Sequence, residues 1–200
     1  MTNVPVVHPL LPVRTVKDLL ELAEAWPDTL SSAFAGVGSS NHLLLVLFNM
    51  LSNAGIGHVP YKGAAPAVTD VMGGPVAMTF APIAAVVPYV KAGRLRALAV
   101  TAGKRSPMYP ALPAIAEAGV AGYDAAGWNA LLAPRALPHE MIARVHAALR
   151  ESLAASKVRG TSTNAGAKAV DSAPDKFARF LQKEIAKWGK VIRVAEIAGQ

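Results

Sequence analysis

The 200-residue sequence contains no cysteine. That excludes disulfide staples, thiol nucleophiles and cysteine-ligated metals, and it is compatible with any redox compartment. Long apolar runs are missing too. The nearest approach, Leu43 to Phe48, is far shorter than the roughly 18 residues a membrane-spanning helix needs, so no direct membrane insertion is expected. Met1 to Pro12 shows no basic segment followed by an apolar one, so no secretory signal is visible. Aromatic residues make up only 6% and charged residues only 16%.

What is present is a globular composition, 52% hydrophobic and rich in alanine and valine. Such small side chains suit close packing of helices on a sheet, in one domain or two small ones. The net charge of +7 favours anionic partners. The densest basic stretch, with Lys91, Arg94, Arg96, Lys104 and Arg105, has no interleaved aromatics and no nucleic-acid motif, so it reads as a solvated face and no nucleic-acid partner is expected.

Periodicity predicts alternating helices and strands. Val16, Leu19, Leu20 and Ala23 recur at helical spacing behind Thr15, a natural N-cap, and Pro27 closes that helix. Ser31 to Ala35 reads as a strand entering the turn Gly36-Val37-Gly38-Ser39-Ser40, followed by a buried helix from Asn41 to about Asn53. The unit then repeats. A strand at His58–Tyr61 is followed by a helix ending at Gly73-Gly74, a strand at Val76–Phe80, a helix at Ile83–Ala92 and a strand at Leu95–Thr101. That alternation predicts a doubly wound α/β fold with a largely parallel sheet. A short helix at Ala114–Ala118, a strand at Trp128–Leu132, a long helix after Pro138 and a final helix from Pro174 complete the prediction.

Two segments carry candidate binding chemistry. Gly36 to Asn41 ends a strand and opens a helix, so free backbone N–H groups and the helix dipole can receive a carboxylate there. Gly38 lets the backbone approach, while Ser39, Ser40 and Asn41 add side-chain donors. The same residues would also serve as an ordinary helix cap. Tyr61, Lys62 and Gly63 lie at the end of the next strand, on the edge where open α/β sheets bind ligands. Tyr61 is equally suited to packing, and Lys62 to a plain surface role. Catalysis finds no support. The serines lack the Gly-x-Ser-x-Gly spacing, Asn41 replaces the third glycine of a dinucleotide fingerprint, and His8, His42, His58, His139 and His146 are scattered. Neither metal nor cofactor is expected.

The stretch His58-Val59-Pro60-Tyr61-Lys62-Gly63-Ala64-Ala65-Pro66-Ala67 resembles the substrate receptors of tripartite tricarboxylate transporters, the Bug or TctC-like family. Further matching pieces follow in order: Ala92 to Thr101, Lys104 to Pro107, Ala116 to Gly119, Leu131 to Pro134 and Glu184 to Ile192. The resemblance implies a periplasmic-binding-protein-like (Venus flytrap) fold of two α/β lobes closing on a small carboxylate, periplasmic location and membrane transporter subunits as partners. It implies residues 1–7 as a crossover, 8–126 as a complete second lobe, and 127–200 as the returning part of a first lobe whose opening strands are missing. It maps His42 onto the histidine that follows the family's glycine- and serine-rich turn. Ala81 stands where the family usually has an aspartate, which removes an acceptor from the expected pocket. A sensor partner, or a remnant that no longer binds, are the alternatives. With its opening strands missing, the returning part should leave four or five large side chains exposed, each at a cost of roughly 1.5–3 kcal/mol.

Overall fold

A computed structural model describes residues 1–197. Five strands form one mixed sheet, in the order β3-β2-β4-β1-β5. They are β1 (Asn3–Val7), β2 (Ser31–Phe34), β3 (Gly57–Pro60), β4 (Met78–Pro82) and β5 (Arg96–Ala97). Strands β3, β2 and β4 run parallel, as the alternation predicts. Strand β1 departs from it: it lies between β4 and β5, antiparallel to both. All five of its residues are buried. The proline at position 5 hides this strand in the sequence, because a proline normally demotes a strand to an edge.

The helices are α1 (Val16–Ala25), α2 (Ser40–Ser52), α3 (Ala64–Gly73), α4 (Ile83–Lys91), α5 (His139–Ala154), α6 (Ser156–Asn164) and α7 (Pro174–Val194). Thr15 caps α1 as expected, in a capping box with Asp18. Gly74, at φ +93°, ends α3. Two apolar clusters sandwich the sheet. One gathers Leu19, Leu45, Phe48, Phe80 and Tyr123, with Val191 of α7. The other gathers Val4, Val6, Ala67, Val71, Ile83 and Val86. Helix α2 is apolar nearly all round because Leu44 to Phe48 are buried without a break. Tyr123 fixes that layer, since its ring meets Phe48 edge-on and its hydroxyl donates to the Leu44 carbonyl at 3.0 Å.

Three local expectations fail. The span 95–101 pairs as a strand only at Arg96–Ala97, although Leu98 and Thr101 still donate to Pro5 and Asn3. Ala114–Ala118 forms turns rather than a regular helix. Trp128–Leu132 is no strand at all. Among the described residues no strand pairs with it, and Leu131 and Leu132 are 63% and 66% exposed. Helix α6 has no apolar periodicity to announce it.

The C-terminal helices differ in how they are packed. Helix α5 buries no residue, and Met141, Val145 and Leu149 lie open along one face. Helix α7 is held better, with Val191 in the core against α2. Its buried Glu184 carboxylate receives the indole N–H of Trp128 at 3.1 Å, that of Trp188 at 3.0 Å, and the Lys187 ammonium.

Candidate functional site

Because β2 and β3 are parallel neighbours, both strands end at the same edge of the sheet, and each runs directly into a helix there. The turn after β2 and the turn after β3 therefore sit side by side. Gly36, at φ +102°, is the crossing point: a side chain there would lie 3.8 Å from the Tyr61 carbonyl. Tyr61 in turn donates its N–H to Phe34 at 2.8 Å. Gly63, at φ +121°, makes the bend into α3.

The turn from Gly36 to Asn41 holds its own shape. The Ser39 hydroxyl reaches the Gly36 carbonyl at 2.6 Å and Asn41 Oδ1 at 2.7 Å, and Asn41 Oδ1 also accepts the Ala35 N–H. Ser39 is the N-cap residue, yet its side chain makes no capping bond. Among the described residues, no acceptor takes the N–H groups of Ser40, Asn41 or His42. The next helix behaves alike, with Ala64 and Ala65 N–H unpaired at its start. Two helix N-termini thus bring donors and positive dipole ends to one edge. Lys62 is exposed beside them and makes no hydrogen bond or ion pair with the described residues. The chemistry this edge offers is that of an anion receptor.

The structure assigns the remaining candidates differently. Gly38 spends its N–H on His42 Nδ1, at 3.1 Å. His42 is 6% exposed and stacked on Phe34 at 4.2 Å between ring centroids, so its ring lies under the turn instead of at the open edge. Burial, with some help from neighbouring His58, holds its pKa below the ordinary histidine value; partial desolvation of the His58 ring, part of which still meets solvent, does the same there. The Tyr61 hydroxyl donates to Asp70 Oδ2 at 2.6 Å, and this bond, burial and the Asp70 charge raise its pKa. Only the Tyr61 ring remains for a ligand. Ala81 is 3% exposed, opposite Val4 in the sheet, so it lies in the core beneath the edge.

Sequence reasoning missed two side chains under this turn. His58 Nδ1 lies 3.0 Å from His42 Nε2, and its other ring nitrogen, Nε2, lies 3.3 Å from Asn49 Nδ2. Neither was legible in the sequence, because it is the β2–β3 pairing that carries His58 beside α2. A concavity of about 1100 Å³ lies elsewhere, between the Ala102–Met108 loop and helices α5 and α6. It contains none of the predicted site residues. Among the described residues, no three His, Asp or Glu side chains gather as for a metal ion, and no helix is long and apolar enough to cross a membrane.

Residues 1–197 match the family described as the tripartite tricarboxylate transporter family receptor. Protein BugT of Bordetella pertussis is 34% identical over 188 residues, which cover 94% of this chain and 58% of BugT. A UPF0065 protein from the tcbD-tcbE intergenic region of a Pseudomonas species is 35% identical, over 90% of this chain and 54% of its own. The chain thus spans just over half the length of these curated relatives. Among solved structures, R. palustris Rpa4515 with adipate matches at a TM-score of 0.85 and 36% identity, over 98% of this chain and 66% of that one. MatC from Rhodopseudomonas palustris, with bound malate, matches at 0.80 and 30%, over 96% and 66%. These likenesses establish the periplasmic-binding-protein-like α/β fold. The chain belongs to the tripartite tricarboxylate transporter receptor family, whose members are solute-binding proteins and not enzymes.

Proposed function

We infer that this chain carries the carboxylate-gripping lobe of a periplasmic receptor for a small dicarboxylate, which it delivers to membrane transporter subunits. The observation that carries the reading is the pairing of two parallel strands whose helices start together, with the N–H groups of Ser40, Asn41, His42, Ala64 and Ala65 unpaired and Lys62 beside them. One ligand carboxylate sits across Ser40–His42, and Lys62 balances its charge. The ligands named for two similar structures, adipate and malate, fit that chemistry. Residues 8–126, with β1 of the crossover, form the second lobe. Residues 127–200 return to a first lobe, whose layer would cover α5 and supply the opposite wall of the cleft. Binding energy then drives closure of the two lobes.

A second reading is favoured by Ala81, which is buried in the core and offers no polar group to the edge. It is a remnant that no longer captures ligand. A thermal melt with adipate, malate and a tricarboxylate separates the two. A ligand at a hundred times its dissociation constant adds about 2.7 kcal/mol. For a chain of this size the expected rise in Tm is on the order of 5–10 °C. Lys62→Gln should weaken binding by roughly threefold to tenfold and leave the ligand-free melt unchanged. No shift from any of these acids would sink the receptor reading in favour of the remnant.

A further inference from the structure

The hydrogen bonds beneath the candidate turn form a chain in which the protons do not fit everywhere at once. At one end the Gly38 N–H donates to His42 Nδ1, so that nitrogen must present a lone pair. In a neutral ring the proton then sits on Nε2 and points to His58 Nδ1, 3.0 Å away. His58 must consequently carry its own proton on Nε2. At the other end stands Asn49, whose amide is fixed by exchange with Ile56. Its Nδ2 donates to the Ile56 carbonyl at 2.8 Å, and its Oδ1 accepts the Ile56 N–H at 3.2 Å. The group facing His58 Nε2, at 3.3 Å, is therefore a donor as well.

A neutral pair has two ring protons, but the surroundings of its four nitrogens have room for one. With the protons on both Nε2 atoms, Gly38 is satisfied and the Asn49 contact is donor against donor, relieved by solvent because His58 is exposed. With both on Nδ1, Asn49 is satisfied and Gly38 loses its acceptor. A third proton breaks either the inter-ring bond or the Gly38 bond. Among the described residues, no charged side chain lines the cavity around the pair. Around the pair, β2 contributes Phe34, α2 contributes Val46, Asn49 and Met50, and the end of α7 with the residues after it contributes Val194, Ala195 and Ile197. They enclose a cavity of about 300 Å³.

We propose that His58 is a positioning residue of the anion site, acting through His42 to hold the Gly36–Asn41 turn by fixing the tautomer that accepts the Gly38 N–H. It touches no ligand itself. The inference rests on the carboxylate reading of that turn, and it adds a pH dependence. Capture needs the pair neutral, so affinity is level above the pair's titration and falls as pH drops through it, on the acid side of an ordinary histidine.

The test compares the full chain with His58→Ala and His58→Asn, whose Oδ1 replaces the Nδ1 acceptor without titrating. Adipate and malate binding is followed by calorimetry from pH 8 to 5.5, and histidine ring tautomers and the Gly38 amide by ¹⁵N NMR. His58→Ala should weaken binding threefold to tenfold, about the worth of one hydrogen bond, shift the Gly38 amide and mix the His42 tautomers. His58→Asn should restore affinity and tautomer, leaving His42 as the one group of the pair that still titrates. Unchanged affinity and an unshifted Gly38 amide in His58→Ala would overturn the proposal. If neither acid binds the unmodified chain, the carboxylate reading fails by itself. The tautomer and the Gly38 amide then decide the relay alone, and no change in His58→Ala overturns it.

Discussion

Glu184 shows how one buried side chain can fasten an otherwise loose segment. It is 8% exposed, and burial pushes its carboxyl pKa up. Hydrogen bonds from Lys187, Trp128 and Trp188, with the Lys187 charge, outweigh burial and leave it below the ordinary 4.5. A depressed carboxyl stabilises the fold fully above its unfolded pKa, and that contribution disappears as pH falls through the folded value. Glu184→Gln should therefore cost roughly 1.5–3 kcal/mol at pH 7, since two indole donors and an ammonium lose their charged acceptor. The penalty should shrink steadily in urea melts taken below pH 4.5. An equal penalty at pH 7 and pH 3 would mean that the effect is packing and not charge.

At the scale of elements, the sequence was legible wherever a local signal and a tertiary partner agreed. Thr15 announced α1, and the structure adds Asp18 to it in a capping box. Thr15→Ala should lower stability by about 1 kcal/mol in chemical denaturation. A change within a tenth of that would show the box to be idle. Strand β1 was illegible because Pro5 contradicts its central place, and Trp128–Leu132 misled because its branched and aromatic residues have no neighbouring strand. The candidate turn was legible as a strand-to-helix turn from Gly36, Gly38 and Ser39. What sequence could not give was direction: whether the His42 ring points to the open edge or under the turn depends on Phe34 and His58, which are brought in by strand pairing.

For the molecule as a whole, the two halves differ in how well they are finished. Residues up to about Ala125 close around two apolar clusters, whereas α5 leaves Met141, Val145 and Leu149 open, with Leu131 and Leu132 exposed before it. A stripe of this kind promotes association. The chain alone should bind a hydrophobic dye and sediment as concentration-dependent oligomers. Val145→Lys with Leu149→Glu should suppress both while changing the melt by less than about 0.5 kcal/mol, as for surface positions. Persistent oligomers in that double variant would place the contact elsewhere.

The central place of β1 also has a consequence in time. Its partner β4 lies about seventy residues further along the chain. At the ribosome's pace of roughly 5–20 residues per second, Val4, Val6 and Val7 wait some 4 to 14 s before that partner has even been made. During synthesis the future heart of the sheet is thus a bare apolar ribbon, and what occupies it in that interval decides how much of the product folds.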